Sequence, residues 1–304
     1  MAVCPGATPR RCGTFPRPPA AANNPHPHSK QSAVRAREKY RGALPGPENR
    51  VGSARVTTPH IESFRVRFNE ADATGFATVQ SIGNWLQEAA DQHARELGWA
   101  REQLQTRRLF WALTGLRLAL TRYPRWRETA TVTTWPAGAD RLFAGRDFEL
   151  ADAAGAPLGG ATRAWLLVNE DTRRPIRLLP EIAAAVLPRP RALAHDFRVR
   201  LAPPDRVEHE RRFHVRRSDL DVNGHVNNVT FIEWVVESVP PDRLGAARVT
   251  DLTLEFHAEA LIGDEVIAQA APGSAGDGTI FRHQLRRAGD DRVLAVAQTE
   301  WSET

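Results

Sequence analysis

One ten-residue stretch of the chain concentrates side chains that do chemistry: DLDVNGHVNN, Asp219 to Asn228. Asp221, Asn223 and His225 are spaced i, i+2, i+4, so in an extended segment they share one side of the chain, directly ahead of an apolar run that reads as a helix. A carboxylate, an amide and an imidazole in one cluster suit hydrolysis by an activated water, where a placed base contributes about 10² to 10⁴ in rate. Asn227 or Asn228 suits the N-cap of the helix, whose free N–H groups form a positive end. A carbonyl oxygen set there is stabilised as negative charge develops on it, by about 10² to 10³ in rate per good donor.

Other readings of the same residues compete. The first six satisfy the opening of a calcium loop, D-x-[DN]-x-[DN]-G, but position 12 is Thr230 where a bidentate carboxylate is needed, and FHVRRS before it alternates like a strand instead of an entering helix. His225 with His257 and Glu259, the last two placed on one side of an expected strand, has the elements of a transition-metal site at a spacing that matches no familiar ligand motif. No metal or other cofactor is expected. Asp, Asn and Gly before a helix are also ordinary turn and capping residues. Both cysteines, Cys4 and Cys12, lie far from the motif, which excludes a cysteine nucleophile there, and the lack of a G-x-S-x-G argues against serine chemistry.

The elements that must position this stretch occur twice. FRVRF (64–68) alternates as a strand, and 78–99 reads as a helix ended near Gly98. Four strand-like runs follow, WALTGLRLAL, TATVTTW, LFAGRDFEL and GATRAWLLV, separated by turn chemistry. A short Ala-rich helical piece and PRPRA and APPD come next. The order then repeats: RRFHVRR, an apolar helix from about Asn227 to Val239 stopped by Pro240-Pro241, and four more strands. At a fixed offset Asp72 falls on Asp221, Gly75 on Gly224 and Trp85 on Trp234, while Thr74 stands for Asn223 and Phe76 for His225. One copy keeps the turn and lacks the Asn and His, which capping alone does not require.

The second helix carries Val229, Phe231, Ile232, Trp234, Val235 and Val236 within eight residues, apolar on nearly every side, and must be surrounded. Antiparallel strands curled round one buried helix do this, so the expected fold is α+β, two hotdog units side by side. The expected organisation is a Pro/Arg-rich irregular tail over 1–58, an N-terminal repeat over 59–190, a linker over 191–206 and a C-terminal repeat over 207–304.

Charge is unevenly placed. Residues 1–60 hold ten Lys and Arg against two acids, and residues 1–59 hold ten of the 22 prolines. Residues 61–304 hold 31 Arg, no Lys and 34 acids, and show no aromatic-basic interleaving, which argues against nucleic-acid binding despite the high pI. No apolar run reaches the roughly 18 residues of a membrane span, and no secretory h-region opens the chain. The expected location is cytoplasmic, with a plastid as the alternative if the acid-poor tail is a transit peptide.

RRSDLDVNGHVNNVTFIEWVVESVP resembles the central motif of the plant-type acyl-ACP thioesterases and their bacterial relatives. FWALTGLRLALTRYPRWRETATVTTW and GGATRAWLLVNEDTRRPIRLLPEI resemble the N-terminal hotdog repeat of that family. The resemblance spans about 61–304. It implies hydrolysis of the thioester between a fatty acyl chain and acyl carrier protein, as part of fatty acid biosynthesis. It implies catalytic roles for Asp221, Asn223, His225 and Glu259, with Asn227 and Asn228 at the oxyanion. Some family members carry a cysteine after that Glu; here Ala260 follows. The first repeat resembles the half that holds the acyl chain, with Ile82, Trp85, Leu86 and Ala89 as candidate chain contacts. Arg107, Arg108, Arg122, Arg125 and Arg127 are candidates for docking the acidic carrier. An acyl-CoA thioesterase, a hotdog dehydratase and an inactive acyl-binding protein remain as alternatives, and a homodimer is a possible assembly. Asp219 has no role in this reading.

Overall fold

The order of one strand, one central helix and four strands is built twice. The computed structural model describes residues 58–194, 196–241, 247–273 and 279–303. The irregular tail expected over 1–58 falls almost wholly outside the described residues. In the first repeat β1 (His60–Arg65) leads to α1 (Val79–Leu97) and a short helix α2 (Arg101–Gln105). Then come β2 (Leu109–Leu120), β3 (Thr129–Ala139), β4 (Phe143–Asp152), β5 (Pro157–Asn169) and the four-residue α3 (Pro180–Ala183). The second repeat has β6 (His209–His214), α4 (Asn228–Glu237), β7 (Arg248–Phe256), β8 (Glu265–Pro272), β9 (Ile280–Arg287) and β10 (Val293–Ser302).

All ten strands form one antiparallel sheet in the order β1-β3-β4-β5-β2-β7-β10-β9-β8-β6. Read from its centre outwards, each half repeats the other, and the halves join where β2 pairs β7 from Gly115↔Glu255 to Ala119↔Asp251. The buried Tyr123 hydroxyl donates to the Val249 carbonyl at 2.6 Å, and Arg117 meets Asp251 at 3.1 Å, both across this join. The result is the tandem hotdog architecture expected from the duplicated order.

Local sequence explains the central helices. Thr78 caps α1 by accepting from the Ser81 N–H at 3.2 Å, and Gly98 ends it in the left-handed conformation at φ 83°. Ile82, Trp85, Leu86, Ala89, Ala90 and His93 recur at helical spacing and are buried, while Glu88, Asp91, Gln92 and Arg95 face outwards. α4 is buried on most sides, as its composition requires, and touches α1 at Gly83, where a Cβ would lie 3.0 Å from Ile232 Cδ1. Phe64 stacks on Trp85 and Phe213 on Trp234, each pair with centroids 5.8 Å apart, so the duplication extends to the aromatic anchors.

FRVRF extends past the strand it forms: β1 stops at Arg65, and Phe68–Glu70 makes a 3-10 turn closed by the Arg67 N–H donating to Glu70 Oε2 at 2.8 Å. The segment expected as linker has no helix or strand over 196–206, yet it is tied down. Arg191 and the Ala192 N–H both bond the buried Asp147 carboxylate, and the Leu201 N–H donates to Glu255.

Candidate active site

The turn that opens α4 is built bond for bond like its duplicate. Asp221 N–H donates to the His225 carbonyl at 2.8 Å and Gly224 N–H to the Asp221 carbonyl at 3.0 Å; the Asp72 turn repeats both at 2.8 and 3.0 Å. Asp221 Oδ1 accepts from the Asn223 N–H at 2.8 Å and the His225 N–H at 3.4 Å, matched by Asp72 Oδ1 with Thr74 at 2.9 Å and Phe76 at 3.3 Å. Gly224 and Gly75 take φ of 79° and 83°, a region that costs a Cβ-bearing residue about 1 kcal/mol or more. The Asp and Gly of this motif therefore make a turn in both copies, and Asn223 and His225 are what the second copy adds.

Asp219, without a role in the sequence, supports this turn. Its buried carboxylate accepts from Arg216 Nε and Nη2 at 3.0 and 2.8 Å and from the Arg216 N–H at 2.7 Å, and its carbonyl accepts from the Asn227 N–H at 2.8 Å. Those oxygens are turned to Arg216 and not to a calcium cradle. Asn227 caps α4 through Oδ1, accepting from the Val229 N–H at 3.1 Å, so Asn228 is the first helical residue and the positive end of the helix faces the turn.

Glu259 comes to this turn from the chain after β7. The Val226 N–H donates to the Ala260 carbonyl at 3.0 Å, which lays the two segments side by side and sets Glu259 Oε2 3.4 Å from His225 Nε2. His257 does not join them. β7 ends at Phe256, and the His257 and Ala258 N–H groups both bond the Leu294 carbonyl, which breaks the strand alternation that placed His257 and Glu259 on one side. His257 Nε2 instead lies 3.9 Å from Glu255.

Two arginines from the first repeat reach these residues. Arg173 Nη2 donates to Glu259 Oε1 at 2.7 Å, and Arg101 Nε donates to Asn223 Oδ1 at 2.7 Å while Asn223 Nδ2 donates to Asp221 Oδ2 at 3.0 Å. Sequence reading missed both, because their partners are 86 and 122 residues away and the short helix that carries Arg101 is too brief for a periodic signal. Together the contacts occupy both Asp221 oxygens within the turn, whereas Glu259 is held from outside it.

Asp221, Asn223, His225, Asn227, Asn228 and Glu259 all line one cleft of about 1510 Å³ between the repeats. Its apolar wall includes Trp99, Leu113, Trp165, Phe231 and Phe256. Ile82, Leu86 and Ala89 are fully buried in the core and Trp85 is 2% exposed; none of the four lines the cleft. A helix enclosed by a curled sheet turns its most apolar stripe to the strands, and α1 meets the cleft through the neighbouring stripe of Ala90, Asp91, Ala94 and Arg95. Of the arginines considered for docking, Arg107 pairs with Glu181 at 2.8 Å, Arg108 with Glu170 and Asp171, and Arg122 with Asp152 at 2.6 Å. Arg125 lies over Phe76 and Arg127 over Trp126. None of these five lines the cleft, but Arg95, Arg101, Arg173, Arg287 and Arg292 do.

Comparison with known proteins adds a second line of observation. Residues 58–186 match the acyl-ACP thioesterase N-terminal domain and residues 203–303 the acyl-ACP thioesterase C-terminal domain. The chain is 30% identical over 308 residues to oleoyl-acyl carrier protein thioesterase 2, chloroplastic, of Arabidopsis thaliana, covering 89% of this chain and 84% of that protein. It is 30% identical over 257 residues to palmitoyl-acyl carrier protein thioesterase, chloroplastic, of Cuphea hookeriana, where it spans 79% of this chain and 61% of the relative. The crystal structure of an acyl-ACP thioesterase from Bacteroides thetaiotaomicron superposes with a TM-score of 0.72 at 24% identity, over 80% of this chain and 98% of that one, a likeness of fold.

Proposed function

The chain belongs to the acyl-ACP thioesterase family, and from that premise we propose that it hydrolyses the thioester joining a fatty acyl chain to acyl carrier protein, releasing free fatty acid, with the chemistry done at His225 and Glu259. The observation that carries the site assignment is the approach of Glu259 to His225 at 3.4 Å inside the inter-repeat cleft, at the one of two otherwise matching turns that has Asn and His.

In the proposed reaction water adds to the thioester carbonyl carbon while Glu259 takes its proton. Negative charge develops on the carbonyl oxygen, which lies at the N-terminus of α4 beside Asn227 and Asn228. Collapse breaks the carbon–sulfur bond, and the proton passes by way of His225 to the departing sulfur, leaving the free acid and the thiol of the carrier. Asp221 acts through the turn: it holds the Asn223 amide and the backbone under His225, so Glu259 is the carboxylate free to receive a proton. Arg173 and Arg101 hold Glu259 and Asn223 from the first repeat.

The proposal assigns the chemistry to residues 207–304 and the acyl chain to the cleft wall supplied by residues 59–190. Carrier docking is assigned to the part of the cleft lined by Arg95, Arg287 and Arg292, Arg101 and Arg173 being engaged with Asn223 and Glu259. We read the location as cytoplasmic; the plant relatives are named chloroplastic, and a fluorescent fusion of residues 1–58 in plant cells separates this from a plastid. No helix among the described residues is long and apolar enough to cross a membrane. Sedimentation equilibrium tests the homodimer against the chain mass of 33.7 kDa.

The deciding experiment supplies purified protein with acyl-ACP and acyl-CoA of matched chains and measures free acid. Release from acyl-ACP at higher kcat/KM than from acyl-CoA is expected. Faster release from acyl-CoA would move the substrate to the coenzyme, and turnover of neither would sink the enzyme reading.

A further inference from the structure

The wall of the cleft that lies in the first repeat contains two buried cations without an acid. β4 and β5 pair Arg146 opposite Arg163, so both guanidinium groups project to the same face of the sheet, and both line the cleft that holds His225 and Glu259. Arg163 is 2% exposed and Arg146 is 9% exposed. Among the described residues neither has a carboxylate partner. Arg163 Nη2 donates to the Gly83 carbonyl of α1 at 3.0 Å, and its Nε has no acceptor. Arg146 Nη1 donates to His93 Nδ1 at 2.8 Å and lies 3.3 Å from Thr134 Oγ1.

The charge balance here is unusual. Burial lowers Arg146 to about 10, and burial with the neighbouring Arg146 lowers Arg163 to about 9, so both remain protonated at neutral pH. Burial, Arg146 and His60 lower His93 to about 3, so its imidazole is neutral and supplies an acceptor but no negative charge. Each guanidinium has five N–H donors, and among the described residues three acceptors, the Gly83 carbonyl, His93 Nδ1 and Thr134 Oγ1, meet the pair, with Arg163 Nε buried and unpartnered. A buried cation is costly unless paired, and methylene groups of a plain alkyl chain would leave these donors unmatched.

We propose that the cleft takes acyl chains that carry an oxygen acceptor away from the thioester, a carboxylate in preference to a hydroxyl, and that Arg163 and Arg146 bind that oxygen. The inference rests on the thioesterase reading for the end of the chain that reacts: with the thioester at His225 and Glu259, the rest of the chain has the remainder of the same cleft to occupy. A chain with a terminal carboxylate supplies the missing negative charge. The two arginines then set which chains are accepted and take no part in the bond-breaking step.

The test uses the full chain and acyl-ACP substrates in matched sets: a plain alkanoyl chain, its ω-hydroxy form and its ω-carboxy form, at hexanoyl, octanoyl, decanoyl and dodecanoyl lengths. For at least one length the wild type is expected to favour the ω-carboxy chain in kcat/KM by about tenfold or more, and Arg163→Met to lower that ratio by about tenfold. Preference for the alkanoyl chain at every length would overturn the proposal, as would an unchanged ratio in a folded Arg163→Met. If that variant does not fold, Arg146→Gln serves instead, and the wild-type ratio needs no variant. Calorimetric binding of octanoate and octanedioate reads the same subsite without turnover. Tighter binding of the diacid, lost on substitution, supports the subsite even if no thioester is hydrolysed, and equal binding overturns it.

Discussion

At the scale of the residue, Asp221 and Glu259 divide what a sequence reading had to leave joined. Asp221 spends both oxygens on its own turn, whereas the duplicate Asp72, at a turn with no Asn or His, holds its turn with Oδ1 and gives Oδ2 to Arg248. Glu259 is held by Arg173 on one oxygen and faces His225 with the other. Arg173 and Glu259 are 55% and 43% exposed, so their ion pair contributes little to stability and its effect belongs to position. Arg173→Ala is expected to lower kcat about tenfold with an unchanged melting temperature, and Arg173→Lys to recover part of the loss; steady-state rates beside thermal melts check both. Asp221, Asn223 and His225 were legible because they are neighbours in sequence. Glu259 stood out in the sequence only beside His257 as a metal candidate, its catalytic role came from family resemblance, and Arg101 and Arg173 were not legible at all, because long-range pairing leaves no local pattern.

At the scale of the element, periodicity found both central helices and most strands, because alternation and helical spacing are local signals. It did not give the register that sets β2 beside β7, nor the short α2, whose stability comes from packing Leu104 with Trp99, Leu109 and Leu167. The stripe of α1 was read correctly as apolar, but an apolar stripe serves core and cleft equally well until the strands are placed. α4 has less choice, being enclosed on most sides. Trp234 is 1% exposed and packs on Phe213 and Phe231, so Trp234→Ala is expected to cost about 3 to 5 kcal/mol in urea unfolding, or to yield no folded protein. A loss under about 1 kcal/mol would mean that α4 is not the centre of its repeat.

At the scale of the whole molecule, each repeat encloses a neutral histidine. His283 accepts or donates between Ser238 at 2.9 Å and Thr299 at 2.8 Å and is lowered to about 3 by burial, as His93 is by burial first and then by the neighbouring Arg146. The unfolded chain takes up these protons near the ordinary value of 6.5, whereas the folded chain does so only near 3. Their contribution to stability is therefore complete above about pH 6.5 and declines as pH falls towards 3. Urea midpoints measured across that window should fall with pH, with a shallower slope in His283→Asn. The repeats are joined by a shared sheet and by Arg248, which pairs with Asp72 at 2.6 Å and lies over Phe76, the residue that stands where the second copy has His225. One repeat thus keeps the turn as a join between halves, and in the other the turn carries the Asn and His of the candidate site.

The central claim, that Glu259 is the proton acceptor of a thioester hydrolysis in this cleft, is tested most directly by Glu259→Gln. The change removes the charge and keeps the shape. Release of free acid from acyl-ACP is expected to fall at least about a hundredfold while the melting temperature stays within a few degrees of wild type. Turnover at the wild-type rate by the folded variant would contradict the account.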